Sequence, residues 1–295
     1  MKRLFLYFLF IIVLSDGQLL AQYKDIDVRS SKSRIAFVIG NQNYQNHTRL
    51  STTLNDVDSI SQALRRCDFE VYSHKNLTYE EMDDVLRFMA NKLETGEYNT
   101  VLWYYTGHGV EIDKQNFQLP IDAPAVSSAS ISSLKYKSLQ TKAISDVMKE
   151  NEIEFPIIFL DACRTNLGKG TDGDFSEVNI DGLFVGLSTS QANKSYEGHT
   201  NGYFTQALLK HIHTPCLTIG DIFIKVKSDC KKSATQDGYD QEPKSHSDLG
   251  NLFYFVPCES AQKNTVNITA SVLDSDGDGV PDKSDKCRKI GRAHV

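Results

Sequence analysis

The 295-residue chain is predicted to adopt an α/β fold in which helices cover both faces of a mostly parallel central sheet. Strand-like and helix-like segments alternate between Arg34 and Phe255, as in parallel strands joined by crossover helices. The strand-like segments are nearly continuous apolar runs, which is typical of strands buried on both faces. With 40% apolar and 24% charged residues, the composition is that of an ordinary globular protein.

The first predicted strand, Arg34–Ile39, is an apolar run that ends at Gly40. Thr78 and Glu81 form a capping-box pair, which predicts the start of a helix. Its apolar stripe is interpreted as packing against the sheet and comprises Met82, Val85, Leu86, Met89 and Leu93. The other helices are predicted around Val57–Leu64, Tyr203–His211 and Ile219–Lys227. The remaining predicted strands are Phe69–Tyr72, Val101–Tyr105, Pro156–Leu160, Leu183–Thr189 and Leu252–Val256.

Two polar motifs directly follow the third and fourth predicted strands. Thr106–Gly109 contains His108, and Asp161–Arg164 contains Cys163. Because the carboxyl ends of parallel strands meet at one edge of a sheet, where ligands bind, we expect the two motifs to lie close together.

A cysteine and a histidine at one sheet edge indicate nucleophilic catalysis. Either residue alone would more often be structural, Cys163 as a buried thiol and His108 as a surface group. Together they form a candidate catalytic pair, because an imidazole can take the thiol proton and later donate it to a leaving amine. The backbone N–H groups of Gly109 and Cys163 are candidates for binding the developing oxyanion. The predicted reaction class is acyl transfer.

Seven segments resemble the caspase-like peptidases of family C14, and specifically the bacterial metacaspase or orthocaspase type. His108 precedes Cys163 by 55 residues, a separation similar to that in caspases. The segments are Arg34–Asn41, Leu54–Val57, Tyr104–Gly109, Leu119–Asp122, Phe159–Arg164, Asn201–Leu209 and Asn251–Phe255.

This resemblance implies a caspase-hemoglobinase fold over residues 30–257 and a cysteine endopeptidase with His108 and Cys163 as its dyad. It implies that Asp161, Asp56 and Thr106 line the S1 pocket, so that protein or peptide substrates are cut after Arg or Lys. For Asp56, a helix N-cap remains an equal alternative.

The chain departs from the family pattern at Ser188–Gly198 and Gln241–Lys244, which leaves the outer specificity subsites open. Gln115 replaces one of the aspartates that many metacaspases use for activating calcium, so no cofactor is expected for catalysis. A catalytically silent caspase-like scaffold, tethered to the cell envelope by its tail, is the alternative function. A cysteine transferase or hydrolase of small molecules is a third hypothesis.

The amino-terminal segment predicts a secreted or periplasmic protein. Lys2 and Arg3 precede the apolar run Leu4–Leu14, and a signal peptide over residues 1–21 would be cleaved near Ala21. The apolar run is too short for a membrane span, which needs roughly twenty residues. Removal of the signal peptide leaves 30 of 32 basic and 37 of 38 acidic residues, a formal net charge of -7. Nucleic acid is therefore not an expected partner.

The six cysteines are too few and too widely spaced for a small disulfide-stapled fold. Cys67 ends an amphipathic helix pattern and is predicted to be an ordinary buried thiol. Pairing among Cys216, Cys230, Cys258 and Cys287 stays open at this stage.

A polar linker is predicted over residues 258–273, followed by an acidic segment over 274–287. Oxygen ligands at alternate positions, with Gly279 at the turn, match an EF-hand-like loop and predict Ca²⁺ binding; a solvated acidic linker is the alternative. The segment resembles a thrombospondin type 3 repeat, which would suit attachment to the cell envelope through a further carboxy-terminal region. Residues 290–295 match a translated sequencing adapter and are left out of the fold. The predicted ligands are Asp274, Asp276, Asp278, Val280, Asp282 and Asp285.

Overall fold

The computed structural model describes residues 33–162, 165–166, 182–189 and 195–258. Within these ranges, six strands form the central sheet in the order β10-β9-β7-β3-β1-β2. All neighbouring strands are parallel except β10, which runs antiparallel to β9. The predicted mostly parallel α/β sheet is therefore confirmed. The strands are β1 Ser33–Gly40, β2 Phe69–Lys75, β3 Tyr98–Gly107, β7 Phe155–Ala162, β9 Phe184–Leu187 and β10 Lys244–Ser247.

Helices cover both faces of this sheet, because successive strand side chains point to opposite faces and both faces are apolar. In β3, Leu102 and Tyr104 pack under one group of helices, whereas Trp103 and Tyr105 pack under the other. The first group is α1 Thr53–Arg66, α5 Tyr203–His211 and α6 Ile219–Gln236. The second group is α2 Tyr79–Leu93 and α4 Thr141–Glu150.

Helix α2 begins as the sequence predicts. The Thr78 hydroxyl accepts a hydrogen bond from the Glu81 amide at 3.4 Å, and the Glu81 carboxylate accepts from the Thr78 amide at 2.8 Å. Both halves of the capping box are present, so two backbone N–H groups of the first turn are satisfied. The stripe from Met82 to Leu93 lies against the sheet, with Leu86 partly buried and the other four residues buried.

A second, smaller sheet branches from the carboxyl end of β3. Among the described residues its strand order is β6-β5-β4-β8, and β4 follows β3 after a single intervening residue, His108. Leu134 of the short helix α3, Ile131–Tyr136, lies in the apolar cluster of this region. The strands are β4 Gly109–Ile112, β5 Gln115–Gln118, β6 Leu139–Gln140 and β8 Thr165–Asn166.

The prediction of a last strand at Leu252–Val256 is wrong. Phe253 and Phe255 are buried in the core, but in this segment only an isolated bridge from Tyr254 to Thr218 has strand character. The Arg34 guanidinium binds the carbonyl oxygens of Tyr254 at 3.1 Å and Phe255 at 2.9 Å, so a side chain takes the place of a sheet partner. The edge strand is instead β10, a polar segment without the apolar pattern on which strand prediction depends.

The four cysteines within the described ranges are either buried free thiols or disulfide-bonded. Cys67 is a buried free thiol, as predicted, and burial raises its pKa to about 11. Cys230 is also free and buried, whereas Cys216 and Cys258 form a disulfide. Burial raises the pKa of the Cys230 thiol as well. Cys67 and Cys230 are thus unreactive at neutral pH, because the thiolate is the nucleophilic form.

Several predictions concern residues outside the described ranges. These are the signal peptide over 1–21, the nucleophile Cys163, the calcium segment 274–287 and the adapter-like residues 290–295. In the part of the chain that is described, no helix is both long enough and apolar enough to cross a bilayer.

Candidate active site

Two strand registers bring the histidine motif and the cysteine motif to the same sheet edge. Gly107 at the end of β3 is paired with Ala162 at the end of β7, and Val110 in β4 is paired with Thr165 in β8. His108 and Gly109 lie between Gly107 and Val110. Cys163 itself lies outside the described residues, but it directly follows Ala162 in the chain.

Two tyrosines hold the backbone of His108. The Tyr44 hydroxyl accepts a hydrogen bond from the His108 amide at 2.7 Å, and the Tyr105 hydroxyl donates to the His108 carbonyl at 2.8 Å. The Tyr44 ring also packs against the imidazole, with ring centroids 4.5 Å apart. Both tyrosines are buried, so they fix the position of the imidazole relative to the sheet edge.

The imidazole of His108 has one nitrogen committed to the backbone. Its Nε2 lies 2.7 Å from the carbonyl oxygen of Thr48. A carbonyl oxygen only accepts, so Nε2 must carry the proton, and in the neutral ring Nδ1 is then a base. Burial lowers the pKa of His108, against the opposing effect of the Thr48 carbonyl. The ring is therefore predominantly neutral at neutral pH, which is the form that a general base requires.

Gly107 is required where the chain turns from β3 to His108. A Cβ atom built on Gly107 would lie 2.5 Å from the Tyr44 hydroxyl and 2.6 Å from the Tyr105 hydroxyl. Its φ of +155° also lies where side chains are rarely tolerated. Any larger residue would displace the two hydroxyls that hold His108.

A cavity beside His108 brings together three residues from distant parts of the sequence. Asp56, Thr106 and Asp161 line it together with His108. The predicted S1 residues and the predicted base thus share one cavity.

The first acid, Asp56, lies in the first turn of α1 and is buried. Its Oδ1 accepts hydrogen bonds from Asn201 Nδ2 at 2.8 Å and from the Gly202 amide at 3.1 Å. Its Oδ2 lies 3.4 Å from the Thr106 hydroxyl, which donates to it. Burial and the charge of Asp161 raise the pKa of Asp56 to about 8.

The N-cap alternative for Asp56 is wrong. Helix α1 begins at Thr53, and Thr52 occupies the cap position without a side-chain capping bond. The carboxylate of Asp56 instead binds donors that lie about 145 positions away in the sequence.

The second acid, Asp161, is at the end of β7, two positions before Cys163. Its carboxylate accepts hydrogen bonds from the hydroxyls of Ser195 and Thr205, each at 2.7 Å. Burial raises its pKa even though both hydroxyls favour the charged form. Two interacting buried carboxyl groups are costly to ionise together.

Gly202 keeps the space between the two acids open. A Cβ atom at this position would lie 3.0 Å from Asp161 Oδ2 and 3.5 Å from Asp56 Oδ2. Any side chain here would compete with a ligand for both carboxylates. The resemblance covers Gly202, but the sequence did not assign it to the pocket, because its role depends on a contact between three separate segments.

Glu197 is a third acid that the sequence analysis missed. It lines the same cavity, and its carboxylate accepts hydrogen bonds from the Thr52 amide at 2.8 Å and the Ser51 hydroxyl at 2.9 Å. The Ser51 amide also donates to it. Glu197 lies in the polar segment where the chain departs from the family pattern, so no periodicity or motif indicates its position.

Of the remaining predicted site residues, Gly109 is described by the structure and the calcium ligands are not. Gly109 is buried at the start of β4, next to His108 and opposite Gln118. The six predicted calcium ligands in 274–285 lie outside the described residues. Among the residues that are described, no group of His, Cys, Asp and Glu side chains has the arrangement of a metal site.

Comparison with known proteins identifies a family for most of the chain. The model of the caspase domain of C14 peptidases matches residues 33–254. This range contains His108, Cys163 and all the residues of the acidic cavity.

Curated relatives match part of the same range. The chain is 32% identical over 191 residues to the human mucosa-associated lymphoid tissue lymphoma translocation protein 1, which covers 60% of this chain and 21% of that protein. It is 31% identical over 157 residues to the paracaspase of Dictyostelium discoideum, covering 48% of this chain and 37% of that protein. The matched region is thus a minor part of each relative.

Proposed function

The chain belongs to the caspase-domain family of C14 peptidases, and from that premise we propose that it is a cysteine endopeptidase that hydrolyses peptide bonds after Arg or Lys. His108 and Cys163 are the proposed dyad. The finer assignment to the bacterial metacaspase type remains a prediction from the motif segments.

The two strand registers on either side of the dyad are the main support for this proposal. Gly107 is paired with Ala162, and Val110 is paired with Thr165. In each of the two chain segments, only two residues separate the paired positions. Cys163 is the residue after Ala162 in the chain, and consecutive Cα atoms are in general about 3.8 Å apart. His108 is the corresponding neighbour of Gly107. This covalent limit favours a thiol within reach of the imidazole.

In the proposed mechanism, Nδ1 of His108 accepts the proton of the Cys163 thiol, and the thiolate attacks the carbonyl carbon of the scissile bond. The backbone N–H groups of Gly109 and Cys163 bind the resulting oxyanion. The C–N bond then breaks, and His108 donates its proton to the leaving amine. A water molecule that is deprotonated by His108 hydrolyses the thioester and regenerates the thiol.

The acidic cavity supports the preference for a basic P1 residue. A guanidinium placed between Asp56 and Asp161 would contact both buried acids, favour their charged forms and form charge-assisted hydrogen bonds. Arg is expected to be preferred over Lys, because its planar group can bind both acids at once. An acidic P1 side chain would be repelled by the two aspartates and by Glu197.

A single assay tests this proposal. Peptides that differ only in Arg, Lys or Asp at P1, each with a fluorogenic leaving group, are incubated with the unmodified chain and with a Cys163→Ala variant. Cleavage in the order Arg, Lys, Asp, and its loss in the variant, is expected. No cleavage of any of the peptides by the folded chain would favour a scaffold role, and faster cleavage after Asp would refute the assignment of the cavity.

We further propose export through a signal peptide over residues 1–21 and Ca²⁺ binding by the aspartates of 274–285. Both proposals are supported by sequence pattern alone. Mass spectrometry of the secreted product tests the first, because a mature chain beginning at Gln22 is expected. Calorimetric titration of the full chain with Ca²⁺ tests the second.

A further inference from the structure

A buried amide, Gln241, connects the acidic cavity with the end of β7. Gln241 lies between α6 and β10, and none of its surface is exposed. Its Oε1 accepts a hydrogen bond from the Tyr196 amide at 2.9 Å. Its Nε2 donates to the Ser195 hydroxyl at 3.3 Å and to the Ser188 carbonyl at 3.1 Å. One side chain therefore binds three residues near the cavity.

The branch through Ser195 leads to an acid of the cavity. The Ser195 hydroxyl has one proton and donates it to Asp161 Oδ1 at 2.7 Å, so its oxygen must accept the hydrogen bond from Gln241. The direction of these two hydrogen bonds follows from Gln241, because its Nε2 group only donates, so the Ser195 oxygen accepts and the hydroxyl proton is left for Asp161 Oδ1. A carboxylate at position 241 would instead draw the Ser195 proton away from Asp161.

The branch through Ser188 leads to the residue before the nucleophile. The Ser188 amide donates to the Leu160 carbonyl at 2.9 Å, and the Ser188 hydroxyl accepts from the Ala162 amide at 3.2 Å. Ser188 thus binds the last residues of β7, after which the chain continues to Cys163. By binding both Ser188 and Ser195, Gln241 connects the end of β7 with the wall of the cavity.

We propose that Gln241 is a positioning residue for P1 recognition, which orients the Asp161 carboxylate through Ser195 and holds Tyr196 at the cavity wall. The inference rests on the proposed function, because it assigns the cavity to a basic P1 side chain. A buried amide whose partners all lie at one site is suited to such a role, since an unmet hydrogen bond there is costly.

The test uses Gln241→Met, which keeps the side-chain length but removes all three hydrogen bonds. Gln140→Met is the matched control, because the Gln140 amide binds Gln115 in the second sheet. The readouts are kcat and KM for a P1-Arg peptide and the inhibition constant of benzamidine, a compact cation. We expect Gln241→Met to raise KM and the benzamidine constant about tenfold with a smaller change in kcat, and the control to change neither.

A double-mutant cycle distinguishes positioning from a general loss of stability. If Gln241 acts through Ser195, then Gln241→Met combined with Ser195→Ala should raise the benzamidine constant no more than the larger single change. Fully additive losses would overturn the inference, as would an unchanged KM and benzamidine constant in folded Gln241→Met. If that variant does not fold, an unchanged benzamidine constant in Ser195→Ala would overturn it as well. Failure of the unmodified chain to cleave P1-Arg peptides would instead refute the proposed function.

Discussion

Replacing Asp161 with Asn removes one of the two charges of the cavity and preserves the shape of the side chain. Asp161 is 5% exposed, and its two oxygens accept hydrogen bonds from Ser195 and Thr205. The amide oxygen of Asn can keep one of these bonds, but the amide nitrogen cannot accept the other. A bound guanidinium would then have Asp56 as its remaining buried partner.

The expected loss of activity follows from the burial of this pair. Removing one partner of a buried, hydrogen-bonded charge pair costs about 2 to 5 kcal/mol. The lower bound corresponds to a roughly thirtyfold decrease in kcat/KM for a P1-Arg peptide. The decrease should be largest for Arg, because the planar guanidinium loses one of its two acids.

Asp161→Asn should lower activity, but it should raise the stability of the fold at higher pH. The pKa of Asp56 is raised to about 8, whereas an unfolded aspartate has a pKa of about 3.9. Between these pH values the folded chain binds more protons than the unfolded chain, so the raised pKa makes stability decrease as the pH rises. Burial is the larger cause of the raised pKa and remains in the variant, but removing the charge of Asp161 lowers the pKa of Asp56 and relieves part of this loss. Asp161→Asn should therefore gain thermal stability relative to the unmodified chain as the pH rises from about 5 to about 8.

The assay combines steady-state kinetics with thermal unfolding at both pH values. Asp146→Asn is the control, because Asp146 is exposed and its ion pair with Lys142 lies on the surface of α4. A kcat/KM for P1-Arg peptides within a factor of two of the unmodified chain would refute the electrostatic role of Asp161. A difference in Tm that is independent of pH would refute the proposed coupling between the two acids.

Three further perturbations test the dyad, the core and the tail. His108→Ala and Cys163→Ala should each abolish peptidase activity and leave the circular dichroism spectrum unchanged, since both residues follow strands rather than fill the core; residual cleavage by folded Cys163→Ala would contradict the dyad. Arg34→Met should lower the free energy of unfolding by about 2 kcal/mol in urea titrations, because it leaves part-buried carbonyls unpaired, whereas exposed Arg87→Met should have little effect. Asp278→Asn should weaken Ca²⁺ binding in calorimetry and leave kcat/KM unchanged; a peptidase that required Ca²⁺ would contradict the separation of tail and catalysis.

Much of the framework could be predicted because its signals are local. Strands β1, β3 and β7 contain long apolar runs, which are typical of strands buried on both faces. The capping box of α2 and the stripe from Met82 to Leu93 follow from helical geometry over a few residues. The position of His108 directly after β3 follows from the same pattern.

Strand β10 was missed because it has no such local signal. Strand β10 is polar, and it forms because the edge of β9 offers unpaired backbone groups that a neighbouring segment can satisfy. Leu252–Val256 has the opposite properties, since its apolar residues suit a strand, but Phe253 and Phe255 are buried in the core by packing while Leu252 is exposed. The local pattern of apolar residues indicates which side chains are buried, but it does not specify which segment pairs with their backbone groups.

The amino-acid pattern alone predicted the mostly parallel sheet, the order of its central strands along the chain, and the placement of His108 and Asp161 at strand ends. Folding was needed to show that Asp56 lines the cavity and is not a helix cap, and that Glu197 and Gln241 lie in the same region. Hydrophobic periodicity acts between near neighbours in the chain, whereas the partner of a buried polar group is selected among segments that meet only after folding.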